Sequence, residues 1–215
     1  FDYITEYSYG IFETLNLIAP RIQGGASREN LGKKHGVYDF LIKNGVSSTQ
    51  ALQFSKNVPT YWGKQPILEA PAYIGISVFF FALISLILIN GPLRNALAVG
   101  VIFALILSWG KNLSFVTDFF IKYIPFYNKF RAVSSIQVIL EFCVPVLSSI
   151  GVYNLYFKKE KIQIDRVLKI AAFLILLLAL VFISQSLLSF SGMNDSYYRE
   201  LYGNDLLLKI REARI

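Results

Sequence analysis

The chain has little of what most soluble enzymes work with. In 215 residues there is one cysteine, Cys143, and one histidine, His35. A lone Cys permits no internal disulfide and leaves the redox compartment open. A lone His, set in the polar loop GKKHG, supports neither a His-based triad nor a multi-imidazole metal cage. There is no HExxH, no P-loop, no GxGxxG and no CxxC, so the common motif-borne metal, nucleotide and redox chemistries have no foothold. Charge is also scarce, at 16% of residues, and neither internal repeats nor low-complexity segments occur.

What is abundant is apolar surface. Hydrophobic residues make up 54% of the chain, with 18 Phe and 13 Tyr, and the mean hydropathy is +0.49. About 20 apolar residues at 1.5 Å each cover a bilayer's hydrocarbon core. The expected class is therefore an all-α integral membrane protein with the lipid bilayer as its first partner. Four spans are expected, at about 73–90, 93–109, 135–156 and 168–190, stopped by signals such as Gly91-Pro92. The net charge of +7 lies largely in short loops beside these runs. There, membrane topology and anionic headgroups account for it before nucleic acid does.

Residues 1–72 are polar and punctuated by APRIQGGAS, KNGVSS and NVPTYWGKQP, which are turn and loop signals. They read as an extracytoplasmic loop domain with short helices near 37–45 and 47–57, the second capped by Ser47 or Ser48. Residues 191–215 form a further extracytoplasmic segment. The connector 157–167 carries four basic residues, Lys169 adds a fifth, and Arg94 lies at the same end; 110–134 and 191–215 carry four each. By the positive-inside rule 157–167 is cytoplasmic, and 1–72, 110–134 and 191–215 are outside. The start at Phe1 and the charged, helix-like end DLLLKIREARI read as a piece of a larger membrane protein.

Two features carry candidate chemistry. The first is KYIPFYNKFRAVSS, 122–135. Ahead of it, apolar residues at 115, 116, 119, 120, 123 and 124 recur at helical spacing. Thr117, Asp118 and Lys122 fall on another face, which describes an amphipathic helix too short to span and suited to the interface. Pro125 ends it. The turn then presents Tyr127, Asn128, Lys129 and Arg131 where the third span begins. Arg offers a bidentate fork for phosphate and Lys a point charge, so a phosphate-linked lipid suits the turn. An ordinary aromatic and basic belt is the commoner arrangement of such residues.

The second is Glu141, about two turns into the third span. A carboxylate at the bilayer centre costs on the order of 3 kcal/mol and normally faces a bundle interior or a wet cavity. Ser134, Gln137 and Ser148 share its face, and Pro145 cannot donate to the carbonyl of residue 141. A polar cavity continuous with Arg131 and an interhelical hydrogen-bond cluster are both compatible with this face. Small residues at Ala96, Gly100, Ala104 and Ser108 mark close helix packing in the second span. Asp2, Glu6, Glu13 and Asp39 are loop carboxylates that nothing in the sequence pairs.

The stretches YSYGIFETLNLIAPRIQGGAS (7–27), YWGKQP (61–66), LSWGKN (107–112), TDFFIKYIPFYNKFRAVSS (117–135) and FSGMNDSYYRELYG (190–203) together resemble the YfhO-like family of bacterial, Bacteroidetes-type, multi-span membrane proteins. That family is similar to the GT-C class of membrane glycosyltransferases. The resemblance implies an inner-membrane protein that takes a sugar from a polyprenyl-phosphate donor for a cell-envelope glycan, lipid or protein. It implies that Arg131 and Lys129 meet the donor phosphate beside Tyr127 and Asn128, above a floor of Gln137 and Glu141. The acidic residue diagnostic of GT-C catalysis lies in a first outer loop that this chain is expected not to include, so no catalytic residue is assigned. No cofactor beyond the lipid-linked donor and no metal are implied. A non-enzymatic scaffold or accessory subunit and, third, a transporter using Glu141 are the competing readings.

Overall fold

The computed structural model describes residues 4–129, 132–157, 164–185 and 188–214. All regular structure among them is helical: α1 Gly36–Lys43, α2 Ser48–Ser55, α3 Ile76–Leu88, α4 Pro92–Ser108, α5 Ser114–Tyr123, α6 Gln137–Phe157, α7 Ile164–Gln185 and α8 Asp195–Glu212, with short 3-10 turns at Phe12–Leu17, Gly110–Leu113, Tyr127–Lys129 and Val133–Ile136. The chain divides into two compact units, one of residues 1–20 and 73–188, the other of 21–72 and 189–215. The polar first 72 residues are thus shared between them.

In the first unit, α6 is packed by α3 on one side and α4 on another. Small residues make this possible. A Cβ at Gly151 would lie 2.2 Å from the Phe81 carbonyl oxygen, and one at Gly100 would lie 3.3 Å from Cys143 Sγ. Ala104 and Ser108 are buried along the same stripe of α4, while Ala96 at its far end is exposed. The buried side of α6 carries Leu140, Val144, Leu147 and Gly151, spaced as one helical stripe. Cys143 is a small buried core residue.

Four spans are expected from the sequence. Among the described residues two helices are long and apolar enough to cross a membrane, Val133–Phe157 and Ile164–Ser184. A third arises if Pro92–Ser108 and Gly110–Tyr123, bent by 105° at their junction, count as one broken span. The bend follows from Gly110, which adopts φ 45 and has no room for a side chain, since a Cβ would fall 2.2 Å from Ser8 Oγ and 2.6 Å from Val133 Cγ2. At 13 residues α3 is about 20 Å long, short of a hydrocarbon core of about 30 Å. Gly75, at φ 110, closes it at the start and extended backbone at Ile89 closes it at the end.

The register of these helices explains the short α3. Gly110 approaches Val133 while Gly100 approaches Cys143, so α4 and α6 are antiparallel. Arg94 Nη2 donates back to the Leu86 carbonyl at 2.6 Å across the three-residue turn from α3, so α3 and α4 are also antiparallel. Helices α3 and α6 therefore run the same way. With Phe81 beside Gly151, α6 starts about 14 Å before α3 at 1.5 Å per residue. The first turns of α6 extend past the start of α3, and residues 5–17 occupy that level.

The second unit has a small core of Val37, Leu41, Ala51, Val58, Leu206 and Ile210, drawn from α1, α2, α8 and the chain near 58. His35 Nδ1 caps α1 by accepting from the Val37 N–H at 3.2 Å, and Ser47 Oγ caps α2 by accepting from Gln50 N–H. A single antiparallel bridge joins Glu29 and Val58. Gly203, at φ 81, breaks α8 into two helices, and the second half supplies the core residues. A buried ionic clasp closes the unit: Asp195 meets Arg211 at 2.9 Å and Arg214 at 2.8 Å. Arg214 also donates to the carbonyls of Pro59 and Phe190.

Candidate functional site

Residues 5–17 would look like an exposed loop on composition alone, yet several of them are among the most buried in the first unit. Thr5, Ser8, Tyr9, Glu13, Asn16 and Leu17 are each 2% exposed or less. A buried backbone must find hydrogen-bond partners, and this one finds them at the 105° bend. The Tyr9 N–H donates to the Ser108 carbonyl at 2.9 Å, and the Tyr9 carbonyl accepts from Asn112 Nδ2 at 2.8 Å. Lys111 N–H donates to Ser8 Oγ at 2.9 Å, and Trp109 Nε1 to Thr14 Oγ1 at 3.0 Å. The Tyr7 carbonyl accepts from Ser134 N–H just before α6, and the Leu17 carbonyl accepts from both Ile74 and Gly75 at the start of α3. The segment is stitched to three helix ends at once.

This stitching sets two ionisable side chains. Glu13 is 1% exposed, and its Oε2 accepts the Gly10 N–H at 2.5 Å. Gly10 is needed for that approach, because a Cβ there would lie 3.0 Å from Glu13 Cγ. Tyr9, 2% exposed, donates its hydroxyl to the Glu13 carbonyl at 2.9 Å. Burial pushes the Tyr9 phenol well above its ordinary value, and the Glu13 charge adds to the push. The nearby Gln137 amide opposes it, and the Glu141 charge adds a smaller rise. Tyr9 thus stands where the N-terminal segment meets the first two turns of α6, between one buried and one exposed carboxylate.

The sequence-derived candidates are distributed around this point. Gln137 is buried and adjoins Tyr9. Glu141, one turn on, is exposed on the outer side of α6, as is Pro145, while Ser148 is buried on the packed side. The polar face read from spacing is therefore split along its length. Tyr127 is 9% exposed, with its ring 5.4 Å from Phe120, which in turn lies 5.8 Å from Phe103 of α4. Burial raises its phenol above the ordinary value. Lys129 is exposed in the same 3-10 turn, with its N–H donating to the Phe126 carbonyl at 2.9 Å. Asn128 sits in that turn by its backbone. Arg131 lies outside the described residues. Among the described residues Lys129 and Glu141 form no ion pair.

The amphipathic helix expected over 114–124 is present as α5. Its exposed face is aromatic, with Phe115, Phe119 and Tyr123 one turn apart and Phe126 beyond them. Thr117, grouped with the polar face by spacing, is buried and donates to the Gly110 carbonyl at 2.8 Å, holding the bend. Tyr9 and Glu13 were not legible as a site, because their partners at 108–112 and 137–141 are about 100 residues or more away in sequence. Gly10 three residues before Glu13 is the one local signal.

Chemically, the arrangement provides a buried carboxylate, a phenol, an amide and an exposed carboxylate at the end of a helix bundle. Among the described residues no group of three or more His, Cys, Asp or Glu could hold a metal ion. Comparison with protein-family models, with curated proteins and with solved structures finds no match to this chain.

Proposed function

We propose that this chain is part of a membrane glycosyltransferase-like protein that draws on a polyprenyl-phosphate-linked sugar to modify a cell-envelope glycan, lipid or protein. The observation that carries the reading is the docking of residues 5–17 against the first turns of α6, which groups Glu13 and Tyr9 with Gln137 and Glu141. A polar, partly acidic cluster at one end of apolar helices suits a sugar's hydroxyls, and Lys129 on the 127–129 turn, followed in sequence by Arg131, suits the donor phosphate. The resemblance assigns Tyr127 and Asn128 to the approach and Gln137 and Glu141 to the floor of that site. In this reading α3 and α4 complete four crossings, the exposed aromatic row of α5 rests in the headgroup layer, and the membrane is a bacterial inner membrane with residues 157–167 cytoplasmic. The YfhO-like resemblance points the same way.

A non-enzymatic scaffold is favoured instead by one observation, the packing of Tyr127 against Phe120, since a packed ring offers little to a ligand. Binding separates the two. The full chain in nanodiscs is titrated with a polyprenyl-phosphate hexose and with the matching polyprenyl alcohol. The transferase reading expects preference for the phosphate-bearing lipid, and a loss of about tenfold or more in Lys129→Ala and Gln137→Leu, the worth of a hydrogen bond to a charged or buried group. Equal binding of the two lipids, unchanged by either substitution, would leave the scaffold.

A further inference from the structure

The opposite end of the first unit carries a second feature that owes nothing to the proposed donor site. Between α3 and α7 runs a groove of about 260 Å³ lined by Leu83, Ile87, Arg166, Lys169, Ile170 and Phe173. The groove follows from how α7 is held. Ile170, Leu174 and Val181 are its buried apolar positions, and α3 is its principal neighbour. The rest of α7 is exposed and apolar, with Phe173, Ile175, Leu176, Leu180, Phe182 and Ile183 each more than half exposed. Residues 166, 169, 170 and 173 fall at i, i+3, i+4 and i+7, so one face of α7 passes from two cations to two hydrophobes within two turns. Across the gap, Leu83 and Ile87 are one turn apart on α3.

We infer that this groove is a binding site for an anionic phospholipid of the surrounding bilayer, one acyl chain lying against Leu83, Ile170 and Phe173 and the phosphate held by Arg166 and Lys169. Three observations carry it. Helix α7 is long and apolar enough to cross a membrane, so its exposed face meets lipid. The groove wall is almost wholly apolar, which suits a hydrocarbon chain. The two cations stand at the end of α7 where a headgroup phosphate would lie, and neither forms an ion pair among the described residues. Asp165, the nearest described acid in sequence, does not line the groove. Basic clefts between membrane helices on the cytoplasmic side are suited to anionic headgroups, and Arg adds a bidentate fork that a phosphodiester can accept.

The test uses the full chain purified in mild detergent, with bound lipid read by native mass spectrometry during competition between phosphatidylglycerol and phosphatidylcholine. The wild type is expected to retain phosphatidylglycerol about thirty-fold better, the worth of two surface cations on an anionic lipid. Arg166→Ala/Lys169→Ala, two exposed positions, should bring the two lipids to parity. Leu83→Trp, which fills the groove and leaves the charges, should lower retention of both. Parity in the wild type overturns the proposal, as does a preference that survives the double substitution. Displacement of the lipid by inorganic phosphate, with Leu83→Trp without effect, also overturns it by reducing the site to a bare anion contact.

Discussion

The ionic clasp of the second unit makes a demanding prediction. The Asp195 side chain is 5% exposed and that of Arg214 is 1% exposed. Arg214 approaches Asp195 Oδ1 at 2.8 Å as a charge contact without the angle of an aligned hydrogen bond, whereas Arg211 Nε donates to Oδ2 at 3.0 Å. Burial holds the Arg214 guanidinium below its ordinary value, and Asp195 works against that shift. Asp195→Ala would leave Arg214 buried with only the Pro59 and Phe190 carbonyls. Breaking a buried pair from one side costs about 3–5 kcal/mol. A unit of about 80 residues holds roughly 4–12 kcal/mol in total, so the substitution should nearly unfold it. Trp62 is a suitable reporter: its ring lies 5.5 Å from Phe190, whose carbonyl accepts from Arg214 at 2.6 Å. In a Trp109→Phe background, urea unfolding followed by Trp62 fluorescence should show Asp195→Ala shifted down by about 3 M, at a slope of roughly 1 kcal/mol per molar. Asp195→Leu/Arg214→Met removes both charges and should recover more than 1 kcal/mol over the sum of the single changes. An unmoved midpoint in Asp195→Ala, or strict additivity in the pair, would refute the clasp as the unit's lock.

Three further outcomes are expected. Glu29 accepts a hydrogen bond from Arg21, its largest influence, and another from Thr60, which together hold its carboxyl below the usual range despite partial burial. Its stabilisation is therefore fully present above the unfolded carboxylate value and is lost as pH falls through the lower folded value. The second unit should lose stability on acidification below the usual carboxylate range, and Glu29→Gln should flatten that slope in a pH series. Gly151→Leu forces side-chain atoms into the Phe81 backbone and should destabilise the α3–α6 pair by about 3 kcal/mol, read as a lowered melting temperature in detergent; Gly36→Ala, in the other unit, where a Cβ would meet only Lys209 Cδ at 4.0 Å, serves as a comparison. Glu13→Ala leaves the Gly10 N–H buried without its acceptor and should cost about 1–3 kcal/mol. Limited proteolysis within residues 5–17 would then accelerate, and an unchanged cleavage rate would count against the docking.

Helices were legible wherever local rules act alone. Asn44-Gly45 ends α1, Ser47 caps α2, and the 114–124 periodicity is α5, because caps, turn glycines and a 3.6-residue period need no distant partner. The small-residue stripe of α4 pointed to close packing, and Gly100 and Ala104 lie in it. The number of crossings was less legible. Hydropathy counts apolar residues and cannot see that α3 closes at Gly75 and Ile89, or that its companion α6 begins about 14 Å earlier.

The candidate site divides in the same way. Gln137 and Tyr127 could be named from sequence because each sits beside a visible helix start or turn. That Glu141 is exposed while Gln137 is buried depends on which neighbours pack against α6, and spacing along one helix does not contain that information. Glu13 reads as a loop acid and is among the most buried side chains, because its segment's backbone bonds to residues 108–112, 134 and 74–75. Composition and periodicity by themselves determined an apolar helical protein with basic connectors and a bounded set of polar groups. Only tertiary structure decided which of those groups are buried and which stay exposed, since burial and pairing arise from contacts between segments far apart in the chain.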